Sequence, residues 1–325
     1  MAANIFIYRI TRITYKSSLR LGHTIYLVQV AYAALKLASI LSRYIIHIPN
    51  HFDLSSFAAW NSSTSTMAES TTSADPPFNS IRYLPTKEAY DRWAEVYDSD
   101  GNFLQALDDL ELKTLFPRFL ESIKSPKPWR IVDLGCGTGR NTALLAGISD
   151  TAEVFALDSS SGMLEVAKSR LAGSNPNLRF GIFDMLASPN TPADVAPGTV
   201  DAIISTLVVE HIPLPTFFGH VSQLLRPGGV LLLTNMHSEM GGISQAGFVD
   251  KATGEKIRPM SYAHTVDDVV LEAQKAGLMV ENNDQGTGII ERGVDQAMVD
   301  KLGLRSKKWV GVTCWFGGVF RKVDA

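Results

Sequence analysis

The chain has 325 residues, 45% of them hydrophobic, which is enough for one large domain or two small ones with a buried core. It carries 30 basic and 33 acidic side chains, and the net charge of −3 argues against a nucleic-acid-binding surface, which normally has a strong basic excess. Two cysteines without a zinc-type spacing are typical of a reducing compartment and predict no metal site.

Residues 1–66 differ in composition from the rest, with six Lys or Arg and a single acid, Asp53. Three interpretations are open. An Arg-rich, acid-poor start resembles an organelle transit peptide. The uncharged stretch Leu21–Leu35 is apolar, but it is shorter than the roughly 20 residues that a spanning helix needs. Alternatively, Met67 starts the protein, and the residues before it have no folded role. We expect a cytoplasmic protein, with mitochondrial or membrane-associated localisation as the alternative if the extension is retained.

Residues 67–82 are rich in Ser, Thr and Pro and are predicted to be a linker. From residue 83 to residue 325 the sequence alternates between helical and strand periodicity, which predicts an α/β domain with a parallel sheet covered on both faces. The predicted helices span 87–97, 104–123, 141–146, 162–171, 216–225 and 266–276. The predicted strands span 130–134, 153–157, 178–183, 201–208, 229–235, 278–282 and 309–320.

A glycine-rich loop follows the first of these strands, in the stretch IVDLGCGTGR (131–140). Gly135 and Gly137 allow a ligand to approach the backbone, and the next helix directs its free N–H groups into the same space. The dinucleotide fingerprint needs a third glycine where this chain has Arg140, which argues against an NAD-dependent reductase. Asp133 would repel a pyrophosphate but suits a cationic ammonium group. Cys136 within the loop is interpreted as a small buried side chain rather than a nucleophile.

Ligands of such sheets bind beyond the carboxyl ends of the strands. Asp158, Asp184 and the segment 206–211 all fall at such ends and so predict one shared site with the glycine loop. In isolation, Asp158 could instead cap a helix and Asp184 could be a turn residue. Because both acids follow strands that end at the same edge of the sheet as the glycine loop, together they favour an adenosine site.

VDLGCGTGRN resembles the first motif of the class I S-adenosylmethionine-dependent methyltransferases, and the later motifs follow in family order. The resemblance implies a doubly wound, Rossmann-like sheet, mostly parallel with an antiparallel last strand, and S-adenosyl-L-methionine as the cofactor. It implies that Asp158 in VFALD binds the two ribose hydroxyls and that Met163 in SSSGML packs on the adenine face. It also implies that Asp184 in FGIFDM accepts a hydrogen bond from the adenine amino group. STLVVEHI and LLRPGGVLLLTN resemble the family's fourth and fifth strands.

The stretch EAYDRWAEVYDSDGN (88–102) resembles the amino-terminal lid of the small-molecule branch of that family. The resemblance implies that Tyr90, Arg92 and Tyr97 close over the methionine end of the cofactor, whereas Trp93 is expected to pack on the core. The cofactor residues predicted in this way are Tyr90, Arg92, Tyr97, Asp133, Gly135, Cys136, Gly137, Asp158, Ser159, Met163, Asp184, Met185, Thr206 and Leu207.

A catalytic base is needed only if the acceptor must lose a proton. His211 is the first candidate and His264 the second, and a structural histidine bound to backbone is the alternative for His211. The resemblance implies methyl transfer to an O or N atom of a small molecule, and the chain is similar to methyltransferases of fungal secondary metabolism.

The alternative function is a protein of the same fold that binds the cofactor but catalyses a cyclisation or acts as a binding module. We expect a small-molecule acceptor, no nucleic acid, no metal, and membrane contact only if residues 1–66 are retained. The oligomeric state is left open.

Overall fold

A computed structural model of the chain describes residues 81–149, 151–251, 253–282 and 288–323, which belong to one compact unit, Ala74–Ala325. The predictions for residues 1–66, and for the linker apart from Ile81 and Arg82, lie outside the described residues. Ile81 and Arg82 begin a short strand. Among the helices of the described ranges, none is both long enough and apolar enough to cross a membrane.

Eleven strands lie in the described part of the chain, and eight of them form one sheet. In chain order the strands are β1 (Ile81–Leu84), β2 (Trp129–Leu134), β3 (Thr151–Asp158), β4 (Leu178–Ile182), β5 (Val200–Thr206), β6 (Leu225–Met236), β7 (Phe248–Val249), β8 (Lys256–Pro259), β9 (Leu278–Val280), β10 (Ile289–Gly293) and β11 (Thr313–Lys322). The helices are α1 (Thr86–Trp93), α2 (Phe103–Ser122), α3 (Arg140–Ala146), α4 (Ser161–Arg170), α5 (Leu214–Leu224), α6 (Ser238–Ile243), α7 (Val266–Lys275) and α8 (Gln296–Leu302).

The large sheet has the order β10-β11-β6-β5-β2-β3-β4, with β9 also paired to β11. Strands β2 to β6 pair in parallel, and β11 is antiparallel to β6. The predicted doubly wound, Rossmann-like sheet with an antiparallel last strand is therefore confirmed. The chain order reverses between β2 and β5, so the crevice where such sheets bind ligands lies beyond the carboxyl ends of these two strands.

The central strands are apolar on both faces because helices cover both. One face of the sheet, including Ile131 and Ile204, packs against α2 through residues such as Leu107 and Leu115. The other face packs against α5 and α7, and there Phe217 contributes to a separate buried cluster. This double burial explains why the strands are continuous apolar runs rather than alternating patterns.

A second, three-stranded sheet has the order β1-β8-β7. β1 is parallel to β8, and β7 is antiparallel to it. Together with α1 it forms a small cap whose core includes Leu84, Trp93, Phe248 and Ile257. The Trp93 and Phe248 rings stack with their centroids 5.0 Å apart. Trp93 thus packs on a core, as predicted. The three strands of the cap were not predicted, because each is too short to show a strand period.

Candidate active site

A cavity of about 180 Å³ lies beyond the carboxyl ends of β2, β3 and β5, with α1 on its other side. We call it the first cavity. Many of the residues predicted for the cofactor meet there. Its lining includes Tyr90, Tyr97, Gly135, Gly137, Asp158, Ser159, Met163, Asp184, Met185, Thr206, Leu207 and His211.

The glycine loop is shaped by left-handed backbone that favours glycine. Gly135 has φ 79°, and an added Cβ would lie 2.4 Å from the Val208 side chain. Gly137 has φ 54°, and an added Cβ would meet no atom within 4 Å. Because Gly137 lines the first cavity, this open space is available to a ligand lying against the backbone.

The two predicted adenosine acids are held by backbone N–H groups. Asp158 accepts hydrogen bonds of 2.8 Å from the N–H groups of Gly137 and Ser160. Asp184 accepts one of 2.9 Å from the N–H of Leu186. These bonds fix both carboxylates at the edge of the cavity while leaving oxygen lone pairs for hydroxyl and amino donors.

Apolar side chains lie between these acids. Met163 and Met185 are buried, and Phe183, which the sequence analysis missed, joins them in the lining. Apolar side chains together with two carboxylates match the polarity of a nucleoside. Leu207, at the end of β5, has the strained φ of 56° that non-glycine residues rarely adopt, which is a frequent feature of ligand sites.

His211 and Tyr90 form a pair at one side of the cavity. The Nδ1 of His211 lies 2.7 Å from the carbonyl oxygen of Met260, and its Nε2 lies 2.8 Å from the hydroxyl of Tyr90. A carbonyl only accepts, so Nδ1 carries the proton and Nε2 accepts from the phenol. Burial lowers the pKa of His211 to about 4, which keeps the ring neutral. Both ring nitrogens are thus engaged, and His211 can act on an acceptor only through Tyr90.

Two aspartates anchor the α1 region over this cavity. Asp91 accepts from the Ser160 hydroxyl at 2.7 Å and from the Gly162 N–H at 3.0 Å, at the start of α4. Asp98 accepts from the Thr138 hydroxyl at 2.8 Å and also pairs with Arg170. The repeated Tyr-Asp pattern therefore has a physical basis, since each tyrosine lines the cavity and the next residue fixes the backbone that carries it.

Four predicted site residues do not line the first cavity: Arg92, Asp133, Cys136 and His264. Arg92 turns outward, where it pairs with Glu88 at 2.7 Å. Cys136 is buried beneath the loop against Ala156 and Leu164, as a small core side chain.

Asp133 is buried and does not line the first cavity. Its Oδ2 accepts from the Thr142 hydroxyl at 2.6 Å, and burial raises the pKa of the carboxyl to about 7. His264 lies within hydrogen-bond distance of the Ile212 carbonyl, 3.0 Å from its Nε2, and stacks on Tyr262. Asp133 is almost fully buried, whereas His264 is partly exposed, and each is held by these contacts away from the first cavity.

A second cavity of about 90 Å³ adjoins the first across Tyr90, Tyr97 and Leu207, which line both. Its remaining lining includes Trp93, Asp100, Phe103, Glu210, Met236, Met240, Gln245, Gly247, Arg305, Lys308 and Trp309. None of these residues was predicted from the sequence to belong to a site. The available signal was Glu210, a lone acid beside His211 in the apolar stretch STLVVEHI.

A "Methyltransferase domain" family matches residues 131–229, which carry β2 to the start of β6. An uncharacterized methyltransferase of Emericella nidulans is 47% identical over 259 residues, 73% of this chain and 91% of that protein. The chain belongs to the class I S-adenosylmethionine-dependent methyltransferases.

Other relatives match less of this methyltransferase. A trans-aconitate 2-methyltransferase of Methylobacterium radiotolerans is 43% identical over 109 residues, 32% of this chain and 36% of that protein. A solved methyltransferase from Mesorhizobium loti is 19% identical with a TM-score of 0.46, covering 63% of this chain and 96% of that chain.

The residues present fit the cofactor of this family, S-adenosyl-L-methionine. The space at Gly137 accommodates a ligand on the backbone, and Asp158 and Asp184 line the first cavity together with apolar side chains. The described residues contain no group of three or more His, Cys, Asp or Glu placed to hold a metal ion.

Proposed function

We propose that this enzyme transfers the methyl group to an O or N atom of a small molecule bound in the second cavity. The observation that carries the proposal is the shared wall of Tyr90, Tyr97 and Leu207 between the two cavities. A ligand in either cavity contacts this wall. The small volume of the second cavity, about 90 Å³, favours a compact acceptor over a protein or nucleic-acid segment.

The partial relatives support a small acceptor. They include trans-aconitate 2-methyltransferases, whose name specifies a small organic acid, although the matches cover only part of each chain. The similarity to secondary-metabolism enzymes stays a prediction from the sequence.

We assign the cofactor-holding role to the lining of the first cavity, with Asp158 binding the ribose and Asp184 the adenine. S-adenosyl-L-methionine supplies an electrophilic methyl on a sulfonium. The protein's own contribution is alignment of the acceptor and exclusion of water, which the cap of α1 and its aromatic side chains provides. Tyr90, held by His211, orients the acceptor at the shared wall.

The test is incubation of the enzyme with S-adenosylmethionine and a panel of small hydroxy and amino compounds, in which S-adenosylhomocysteine and product mass are measured together. The expected result is equal formation of S-adenosylhomocysteine and of an acceptor heavier by one CH₂ unit. Conversion of a compound without S-adenosylhomocysteine would instead indicate a cyclase, and methylation of peptides or nucleic acid alone would exclude a small acceptor.

A further inference from the structure

Two cationic side chains, Arg305 and Lys308, line the second cavity. Two more, Lys256 and Arg258, lie on the neighbouring strand β8. Arg258 contacts the cavity-lining Gly247, where an added Cβ would be 2.9 Å from the Arg258 side chain, and its guanidinium donates a hydrogen bond of 3.4 Å to the Tyr83 hydroxyl. Burial, followed by repulsion from Arg258, Lys308 and Arg305, lowers the pKa of Lys256.

This cluster is short of negative charge. In the described ranges, no carboxylate lies within salt-bridge distance of Lys256, Arg258 or Lys308, and Arg305 is 4.0 Å from Asp100. Asp100 also accepts a hydrogen bond of 2.9 Å from the Trp93 indole.

Elsewhere the enzyme pairs its partly buried arginines directly with carboxylates. Arg292 binds Glu111 at 2.8 Å, and Arg130 binds Glu153 at 2.8 Å. Arg305 and Lys308 are exposed residues that border the cavity. Clustered like charge beside a cavity raises the local concentration of an oppositely charged ligand.

Three polar atoms of the cavity-lining residues have no hydrogen-bond partner: Glu210 Oε2, Gln245 Oε1 and Trp309 Nε1. The Glu210 and Trp309 side chains are almost fully buried. A buried polar group without a partner costs about 1–3 kcal/mol, and a ligand that supplies the missing bond removes this cost. Glu210 and Gln245 offer oxygen acceptors, so the ligand needs a donor such as a hydroxyl.

The walls between these polar points are aromatic. Trp309 stacks on Phe103 with the ring centroids 5.7 Å apart, and the Lys308 ammonium lies 5.0 Å from the Trp309 ring centroid. The cavity therefore has an apolar body, cations at one side and a carboxyl group near the shared wall.

We propose that the second cavity binds an organic anion that carries a hydroxyl group, with Arg305 and Lys308 holding the anionic group, the nearby charges of Lys256 and Arg258 adding to the positive field, and Glu210 accepting a hydrogen bond from the hydroxyl. This inference rests on the proposed function, because it names the class of acceptor at the same site. Its chemistry selects hydroxy acids over neutral or cationic acceptors of the same size.

The first test compares matched probes on the enzyme saturated with S-adenosylhomocysteine. The probes are para-hydroxybenzoate, its neutral amide and benzoate, together with glycolate, its amide and acetate, and binding is measured by calorimetry. We expect at least one hydroxy acid to bind about 10-fold more tightly than both its amide and its deoxy analogue. Amides that bind as tightly as the acids, or failure of both hydroxy acids to bind, would overturn the inference.

The second test separates the cation cluster from general surface charge. Lys308→Gln removes a cavity-lining cation, and Lys307→Gln removes an exposed neighbour that does not line the cavity. We expect Lys308→Gln to weaken hydroxy-acid binding about 10-fold and leave amide binding unchanged, while Lys307→Gln changes neither. Equal effects of the two variants would contradict a specific role for the cluster.

The Glu210→Met variant tests the hydroxyl contact, because methionine has a similar size but lacks the oxygen acceptor. It should reduce the preference for the hydroxy acid over the deoxy acid without weakening the binding of the deoxy acid. An unchanged preference would remove Glu210 from the inference.

The two proposals fail differently. Methylation confined to neutral or cationic small molecules would overturn the acceptor class and leave the small-molecule methyltransferase standing. If wild-type enzyme binds S-adenosylmethionine but methylates only macromolecules, the proposed function itself fails.

Discussion

The two cavities share a wall but differ in how their polar groups are satisfied. In the first cavity, the Asp158 and Asp184 carboxylates already accept hydrogen bonds from backbone N–H groups. In the second, Glu210, Gln245 and Trp309 each retain an unpartnered polar atom, and three of the nearby cations pair with no carboxylate among the described residues.

This difference corresponds to two kinds of binding. A site whose side chains are fixed by their own backbone is preorganised, so little order is lost when a ligand arrives. A site with unmatched groups is less stable when empty and gains most from the one ligand that matches them. We therefore expect substitutions in the first cavity to change cofactor affinity and substitutions in the second to change acceptor choice and stability.

The largest expected effect is on cofactor affinity. Asp158→Ala removes the carboxylate proposed to bind two ribose hydroxyls, and hydrogen bonds to a charged group contribute about 1.5–3 kcal/mol each. Affinity for S-adenosylmethionine should fall at least about 100-fold by calorimetric titration. Asp201→Ala is the control, because that carboxylate pairs with Arg226 at the far end of β5. Unchanged affinity in Asp158→Ala would show that the first cavity does not bind the cofactor through this carboxylate.

We expect the next largest effect on cofactor affinity from an alanine substitution in the glycine loop, compared with the same substitution at a matched glycine elsewhere. Gly137 and Gly173 both have positive φ, and an added Cβ at either position meets no atom within 4 Å. Alanine at each should cost about 1–2 kcal/mol of stability through backbone strain. Only Gly137→Ala should also weaken S-adenosylmethionine binding, by roughly 10-fold, since its Cβ occupies space in the first cavity. Equal affinity in the two variants would show that the loop does not contact the cofactor.

Because the buried Glu210 carboxyl has an oxygen without a hydrogen-bond partner, we expect it to make the stability of the folded protein depend on pH. Burial raises the pKa of this carboxyl to about 7, with a further contribution from Asp108, above the value of about 4.3 in an unfolded chain. Between these pH values the folded chain holds a proton that the unfolded chain has released, so stability falls as pH rises from about 4.3 to 7. The other titratable groups near Glu210 are His211, which is neutral here, and the phenols of Tyr90 and Tyr97.

Glu210→Gln should therefore raise the Tm by a few degrees at pH 8, and the gain should shrink towards pH 5. Glu239→Gln is a control of opposite sign, because hydrogen bonds from Thr313 lower the pKa of the Glu239 carboxyl. A gain for Glu210→Gln that does not depend on pH would contradict the buried-carboxyl explanation.

The smallest effect should come from Arg92, which the sequence placed in the cofactor site. Its guanidinium pairs with Glu88 outside both cavities, and an exposed pair of this type contributes under about 1 kcal/mol. Arg92→Gln should leave S-adenosylmethionine affinity within about twofold of wild type. A loss of 10-fold or more would mean that the side chain turns inward when the cofactor binds.

The strand–loop–helix order and most residues of the first cavity could be predicted from local sequence signals. Gly135, Asp158 and Asp184 follow strands whose apolar runs are local signals, and parallel strands bring their carboxyl ends to one edge. Element positions that depend on periodicity were therefore predicted to within a few residues. The short strands of the cap lack enough residues to show a period, and the sequence analysis did not find them.

The direction of individual side chains and the meeting of distant segments depend on tertiary packing and could not be predicted in this way. Asp133, Arg92 and His264 have the right chemistry for a site, yet each contacts a partner away from the first cavity. The second cavity is assembled from the end of β5, the α1 region and residues 305–309. No local pattern records that convergence, because it depends on how the elements pack and not on the sequence within any one of them.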